Sequence, residues 1–191
     1  MIWNEHSKDI PDGTHAILSA SKYHWLDYTD EKLVETYRNA QAQQKGTELH
    51  AIAAGLIKNK IELRGRDTLA LYVNDAIKFQ MRPEQKLKYS EMCFGTADAI
   101  VYNDRKQLLR ISDLKTGVST ANIKQLYIYA GLFFLEYHKD PKVTNVELRI
   151  YQNGEVLLEI PTPEDLQYVM DRIVRCSEIL QKVKAEEYDE Q

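Results

Sequence analysis

The spacing of apolar residues drops from three and four to two past about residue 80, and that change restricts the architectures open to the chain. Up to about residue 80 the apolar positions recur at three and four. Leu49, Ile52, Ala53, Leu56 and Ile57 make one such stripe, so Asp30 to about Lys60 reads as a mostly polar helix interrupted at Gly46. Asp67 can cap a further helix, Leu69 to Phe79, ended by Pro83. From Lys86 the period falls to two. Residues 86–94, 95–102 and 107–114 read as three strands, with Asn103-Asp104-Arg105-Lys106 turning between the last two. Thr116-Gly117 breaks the run, and Asn122 to Tyr137 is helical again, with an apolarity on all sides that points to a helix buried against a sheet. Val143 to Tyr151 and Glu155 to Ile160 flank Asn153-Gly154, a strong hairpin signal. Pro163 opens a last helix striped by Leu166, Met170, Ile173, Leu180 and Val183. The expected fold is therefore α/β, one domain over residues 1–191 with a central mixed sheet flanked by helices. Residues 1–17 form an irregular lead-in with a turn at Pro11-Asp12-Gly13. A helical part covers 18–80, opened by capping candidates in Ser19-Ala20-Ser21. The sheet core covers 86–160 and a terminal helix 163–187.

Composition narrows the function classes. At 43% hydrophobic and 28% charged the chain can bury an ordinary core. A net charge of −4 provides no general basic field for nucleic acid, so such a partner would need a local groove and a neutralised acidic centre. Lys45, Lys58, Arg82, Lys86, Lys88 and Lys124 are scattered candidates for that groove. The two cysteines, Cys93 and Cys176, lack the CxxC spacing of structural zinc or iron–sulfur sites and give no disulfide framework. The longest apolar run, Tyr127 to Leu135, is too short to span a bilayer, and the polar, acidic N-terminus is unlike a signal peptide. A cytoplasmic enzyme with no membrane partner is the simplest expectation.

The chemistry-bearing residues gather where strands give way to helix. Asp98 lies on one apolar strand, Asp113 and Lys115 on the next, and Gln125 and Tyr129 on the following helix. Two carboxylates and a lysine on adjacent strands suit a metal-dependent phosphodiesterase: the acids hold a divalent cation, and the ammonium positions water against a phosphate. Side chains two apart on a strand share a face, so Asp113 and Lys115 point together. A two-residue turn centred on Asp104-Arg105 puts position 98 opposite 111, making Asp98 and Asp113 diagonal neighbours roughly 7–8 Å apart at the backbone. An odd-length loop would separate them. Gln125 and Tyr129, four apart, share a helical face. His50 supplies an imidazole nitrogen suited to Mn²⁺, although a lone histidine on an apolar helix face is more often a satisfied core residue. Acid-x-Lys triplets also start at Asp30, Glu84, Asp104 and Asp140, but only Asp113-Leu114-Lys115 ends an apolar strand that follows a second acid-bearing strand. Glu91, expected on a neighbouring strand, is a further candidate for the metal shell, or else a solvated acid.

Taken in order, Ser19-Ala20-Ser21, Gly46–His50, Gly95-Thr96-Ala97-Asp98, Asp113-Leu114-Lys115 and Gln125–Tyr129 resemble the motifs of the RecB-like branch of the PD-(D/E)XK nucleases, particularly its small phage-type members. The resemblance spans about Ala16 to Tyr137. It implies a restriction-endonuclease-like core and metal-dependent hydrolysis of DNA. His50, Asp98, Asp113 and the backbone carbonyl of Leu114 would bind Mg²⁺ or Mn²⁺. Lys115 would act on the scissile phosphate, and Gln125 and Tyr129 would contact the DNA backbone. Several relatives carry a four-cysteine iron–sulfur cluster, which this chain cannot supply, and no ATP-binding motif occurs. Any helicase or recombinase partner would be a separate chain, and a homo-oligomer is compatible with the branch. By the same analogy the expected role is exonuclease action in phage recombination or DNA processing, in the cytoplasm of a bacterium or phage-infected host. The alternatives are a non-cutting nuclease-fold subunit and an endonuclease specific for DNA structure or sequence.

Overall fold

A computed structural model describes residues 16–117 and 121–189; the expected turn at Pro11-Asp12-Gly13 lies outside them. The described residues fall into two compact units that meet between Lys45 and Gly46. In the first, a 3₁₀ helix runs from Ala20 to Asp27, with Ser19 at its N-cap position and the Ser19 carbonyl accepting the indole N–H of Trp25 at 3.0 Å. Helix α1, Asp30–Lys58, begins there and continues into the second unit. It passes through Gly46 without the expected interruption. A single glycine weakens a helix by only about 1 kcal/mol, and this one has a steric reason: a Cβ at Gly46 would come within 3.0 Å of Thr116 Oγ1.

The second unit is a five-stranded sheet in the order β1-β2-β3-β4-β5 with helices on both faces, the α/β arrangement expected. Its elements are α2 (Thr68–Lys78), β1 (Arg82–Ser90), β2 (Cys93–Asn103), β3 (Leu108–Leu114), α3 (Lys124–Tyr137), β4 (Asn145–Gln152), β5 (Glu155–Glu159) and α4 (Pro163–Asp189). Local chemistry sets most boundaries. The Asp67 carboxylate accepts the Ala70 N–H at 2.9 Å and caps α2. Asn153 and Gly154 both adopt positive φ (53° and 76°), the backbone that a two-residue hairpin requires. Thr162 and Asp165 cap the start of α4 reciprocally, just before Pro163.

Two boundaries differ from the expectation. Strand β1 starts at Arg82, four residues earlier, and takes in Pro83. A proline is tolerated there because β1 is an edge strand with no ladder on its outer side. The β1–β2 turn accordingly falls at Glu91-Met92, and Cys93 and Phe94 belong to β2.

Strands β3 and β4 run parallel, joined through α3, while the other neighbours are antiparallel, so the sheet is mixed. On one face Leu87, Ile100, Leu109, Ile111 and Leu148 pack against Leu126, Ala130 and Phe134 of α3, with Leu166 and Ile173 of α4 behind. On the other face Ala99, Leu114 and Tyr151 meet Ala53 and Ile57 of α1 and Tyr72, Val73 and Ala76 of α2. Helix α3 is thus sandwiched between sheet and helix, which accounts for its apolarity. Among the described residues, no helix is long and apolar enough to cross a membrane.

Candidate active site

The β2–β3 register decides whether the two expected carboxylates meet. Asn103 pairs with Leu108, so the loop holds four residues, and the pairing continues through Ile100↔Ile111 to Ala99↔Ser112. One step further places Asp98 across from Asp113. The turn is two residues longer than expected, so Ile111 pairs with Ile100 and the ladder ends at Ala99↔Ser112, one residue short of both acids. The even loop length brings the two to neighbouring positions across β2 and β3.

The backbone at this point is irregular in two strands at once. Between the β1–β2 pairs Pro83↔Ala99 and Gln85↔Ala97, Glu84 faces Asp98. Ala97 packs in the α3-side core and Ala99 in the α2-side core, although residues two apart on a regular strand share a face. Ile100 is back on the α3 side. The alternation therefore slips by one residue at Asp98. Opposite it Glu84 takes φ +52°, a left-handed conformation that costs a non-glycine residue on the order of 1–2 kcal/mol. Such outliers concentrate at functional sites. Here the slip lets Asp98 and Glu84 turn toward His50 on α1, and ligand atoms of all three lie within 4.8 Å of one another.

Asp98 is the hub of the site. One of its oxygens, Oδ2, lies 3.2 Å from His50 Nδ1 and accepts the Leu114 N–H at 2.9 Å. Asp113 is 2% exposed and ion-paired with Lys115, whose Nζ lies 2.9 Å from Oδ2 and 3.1 Å from Oδ1. The Oδ1 contact has hydrogen-bond geometry. The closer Oδ2 contact is an ion pair without hydrogen-bond geometry. The ammonium also donates to Gln125 Oε1 at 2.8 Å, and Gln125 Nε2 donates to the Tyr129 hydroxyl at 3.1 Å. Asp113, Lys115, Gln125 and Tyr129 thus form one connected chain across β3 and α3. The Tyr129 ring lies over Gly95: a Cβ there would be 2.9 Å from Cε1 of the ring, so the glycine three residues before Asp98 is required by packing.

Electrostatics point to a site holding more protons than its residue types usually would. The Asp98 carboxylate holds the His50 imidazole above its ordinary value, against the effect of burial. Burial, reinforced by the Asp98 charge, raises Asp113, with Lys115 opposing. Burial and Asp98 also raise Glu84, and burial raises the Tyr129 hydroxyl. Crowded carboxylates behave this way when no cation separates them. Three close oxygen and nitrogen donors, His50, Glu84 and Asp98, fit a divalent cation.

Of the residues expected from sequence, His50, Asp98, Asp113, Lys115, Gln125 and Tyr129 come together. Leu114 joins them through its N–H. Glu91 does not: it sits in the β1–β2 turn, exposed, ion-paired to Lys184 of α4 at 2.9 Å. Of its two expected places, metal shell or solvent, the structure gives solvent, because β1 starts four residues earlier than expected and ends at Ser90. The acid that β1 does deliver is Glu84. The model of one protein family, described as a protein of unknown function (DUF2800), matches residues 71–155. That span includes Glu84, Asp98, Asp113, Lys115, Gln125 and Tyr129 and leaves out His50. No curated protein matches the chain.

Proposed function

We propose that this protein is a divalent-metal-dependent DNA nuclease that hydrolyses phosphodiester bonds. The observation that carries the reading is Lys115, held between Asp113 and Gln125 beside the His50–Glu84–Asp98 cluster. His50, Glu84, Asp98 and Asp113, with the Leu114 carbonyl, would hold Mg²⁺ or Mn²⁺. When bound, the cation neutralises phosphate charge and makes a bound water more acidic. The protein's own groups do the rest. Lys115, fixed by its two partners, presents its remaining N–H donor capacity to a phosphate oxygen and stabilises the charge that grows there. Asp113 and Asp98 orient the donors around them and accept hydrogen bonds from the attacking water. Gln125 and Tyr129 offer an amide and a hydroxyl to the sugar–phosphate backbone. DNA as substrate, attack from a strand end, and a cytosolic setting follow from the resemblance of the five ordered motifs.

The test is incubation of end-labelled linear DNA and covalently closed DNA with Mn²⁺, Mg²⁺ or EDTA, with Lys115→Ala in parallel. The expected result is metal-dependent degradation of the linear form, slowed by about 100-fold or more in the variant, with its thermal unfolding little changed. Cleavage that persists in EDTA, or at full rate in Lys115→Ala, would overturn the assignment.

A further inference from the structure

The β1–β2 hairpin carries a second surface leading away from the site. Beyond the irregular Glu84/Asp98 position the register continues Lys86↔Thr96 and then Lys88↔Phe94, each step advancing roughly 7 Å along the strands. Leu87 and Ala97 point into the α3-side core and Gly95 lies beneath Tyr129, so Lys86, Lys88, Phe94 and Thr96 occupy the opposite face. Among the described residues this face is open: Phe94 is 69% exposed, and Lys86 and Lys88 are exposed as well. The contact from Lys88 to Glu136 Oε2 is made by its main-chain N–H, not by its ammonium.

Building on the nuclease reading, we propose that this hairpin face is a platform for single-stranded nucleic acid, with Lys86 and Lys88 on successive phosphates and Phe94 stacked on a base, feeding the strand toward Glu84 and Asp98. The charge argues for an anionic occupant, because two cations lie on β1 beside the ring, Lys88 directly across from it and Lys86 one step on, in a protein whose net charge is −4. The ring argues for an unpaired base, because bases inside a duplex are already stacked on both faces, whereas aromatic side chains are the usual partners of single strands. The cross-strand order then sets the direction of travel: stacking at the hairpin tip, phosphate contact along β1, carboxylates at the far end.

The experiment is fluorescence anisotropy of a labelled single-stranded oligonucleotide and of the same sequence as a blunt duplex, with Ca²⁺ in place of Mn²⁺ or Mg²⁺ so that the carboxylates are neutralised while cleavage is held back. Wild type is compared with Phe94→Ala and with the double variant Lys86→Ala/Lys88→Ala. Phe94→Ala should weaken single-strand binding about tenfold and change duplex binding by less than about twofold. The double variant should reduce the slope of log affinity against log salt by about 1.4, two contacts at about 0.7 each. Single-strand binding indifferent to both changes, equal losses for duplex and single strand, or no single-strand binding by wild type would overturn the proposal. An uncleaving protein that still needs Phe94 to bind single strands would sink the nuclease reading alone. Active nuclease indifferent to Phe94 would sink only the platform.

Discussion

Asp98 accepts from the Leu114 main chain, meets His50 at 3.2 Å and faces both Glu84 and Asp113, so the protonation of three neighbours depends on it. His50 is raised above its usual 6.5. That contribution to stability is fully present below the unfolded value and is lost as pH rises through the folded one. Asp113 and Glu84 are raised from 3.8 and 4.5, so the fold also disfavours their charged forms, and their effect on stability has the same sign: it weakens with rising pH. A cation reverses this, since it needs the neutral imidazole and ionised carboxylates and must displace their protons. The rise in melting temperature caused by Mn²⁺ should therefore be larger at pH 8 than at pH 6, and thermal unfolding at the two pH values checks it; an equal rise at both contradicts it. Most of these residues are legible in the sequence, because type and order suffice to choose Asp98, Asp113 and Lys115. Glu84 is not. It follows a proline and begins one of five acid-x-Lys triplets, and what brings it to the site is a left-handed backbone opposite a slip in β2. No side-chain pattern encodes that pair of irregularities.

At the scale of elements, the hairpin β1–β2 and helix α3 are fitted together through Gly95. Gly95→Ala places a methyl group 2.9 Å from the Tyr129 ring, so the ring or the strand must move. The expected cost is about 1–3 kcal/mol in stability, together with loss of the Tyr129–Gln125–Lys115 alignment and hence of cleavage. Gly55→Ala is the control. It sits in α1 with nothing within 4 Å of the added methyl, and should stabilise the protein by about 0.5–1 kcal/mol. Denaturant unfolding of the two variants measures both; a neutral Gly95→Ala would mean the ring does not depend on the glycine. The strands and helices themselves follow from period and caps: alternation in 95–102, Asp67 before α2, Asn153-Gly154 between β4 and β5. Boundaries go astray where a local breaker is overruled by its surroundings. Pro83 is accommodated because β1 has a free edge, and Gly46 lies in a continuous helix at the point of close approach to Thr116. Edge position and close approach are tertiary facts, and neither shows in the local sequence.

For the whole molecule, a net charge of −4 and a carboxylate cluster repel a polyanion until a cation is in place. Cation and DNA should therefore bind with positive coupling, each strengthening the other by the same factor. The matched family span, 71–155, carries the strand acids and Lys115, while the histidine arrives on α1 from outside it. The sheet unit thus combines a strand–strand–helix core with one imidazole from a preceding helix, and cleavage as proposed requires that combination to be a cation site. The most direct measurement is titration of metal-free protein with Mn²⁺, followed by the electron paramagnetic resonance of the free ion, for wild type and Asp98→Asn. Wild type is expected to bind saturably, and binding should weaken by about tenfold or more in the variant, as loss of a ligand or its hydrogen-bonded support does. Binding that is absent in wild type, or equal in both, would contradict a cation site there.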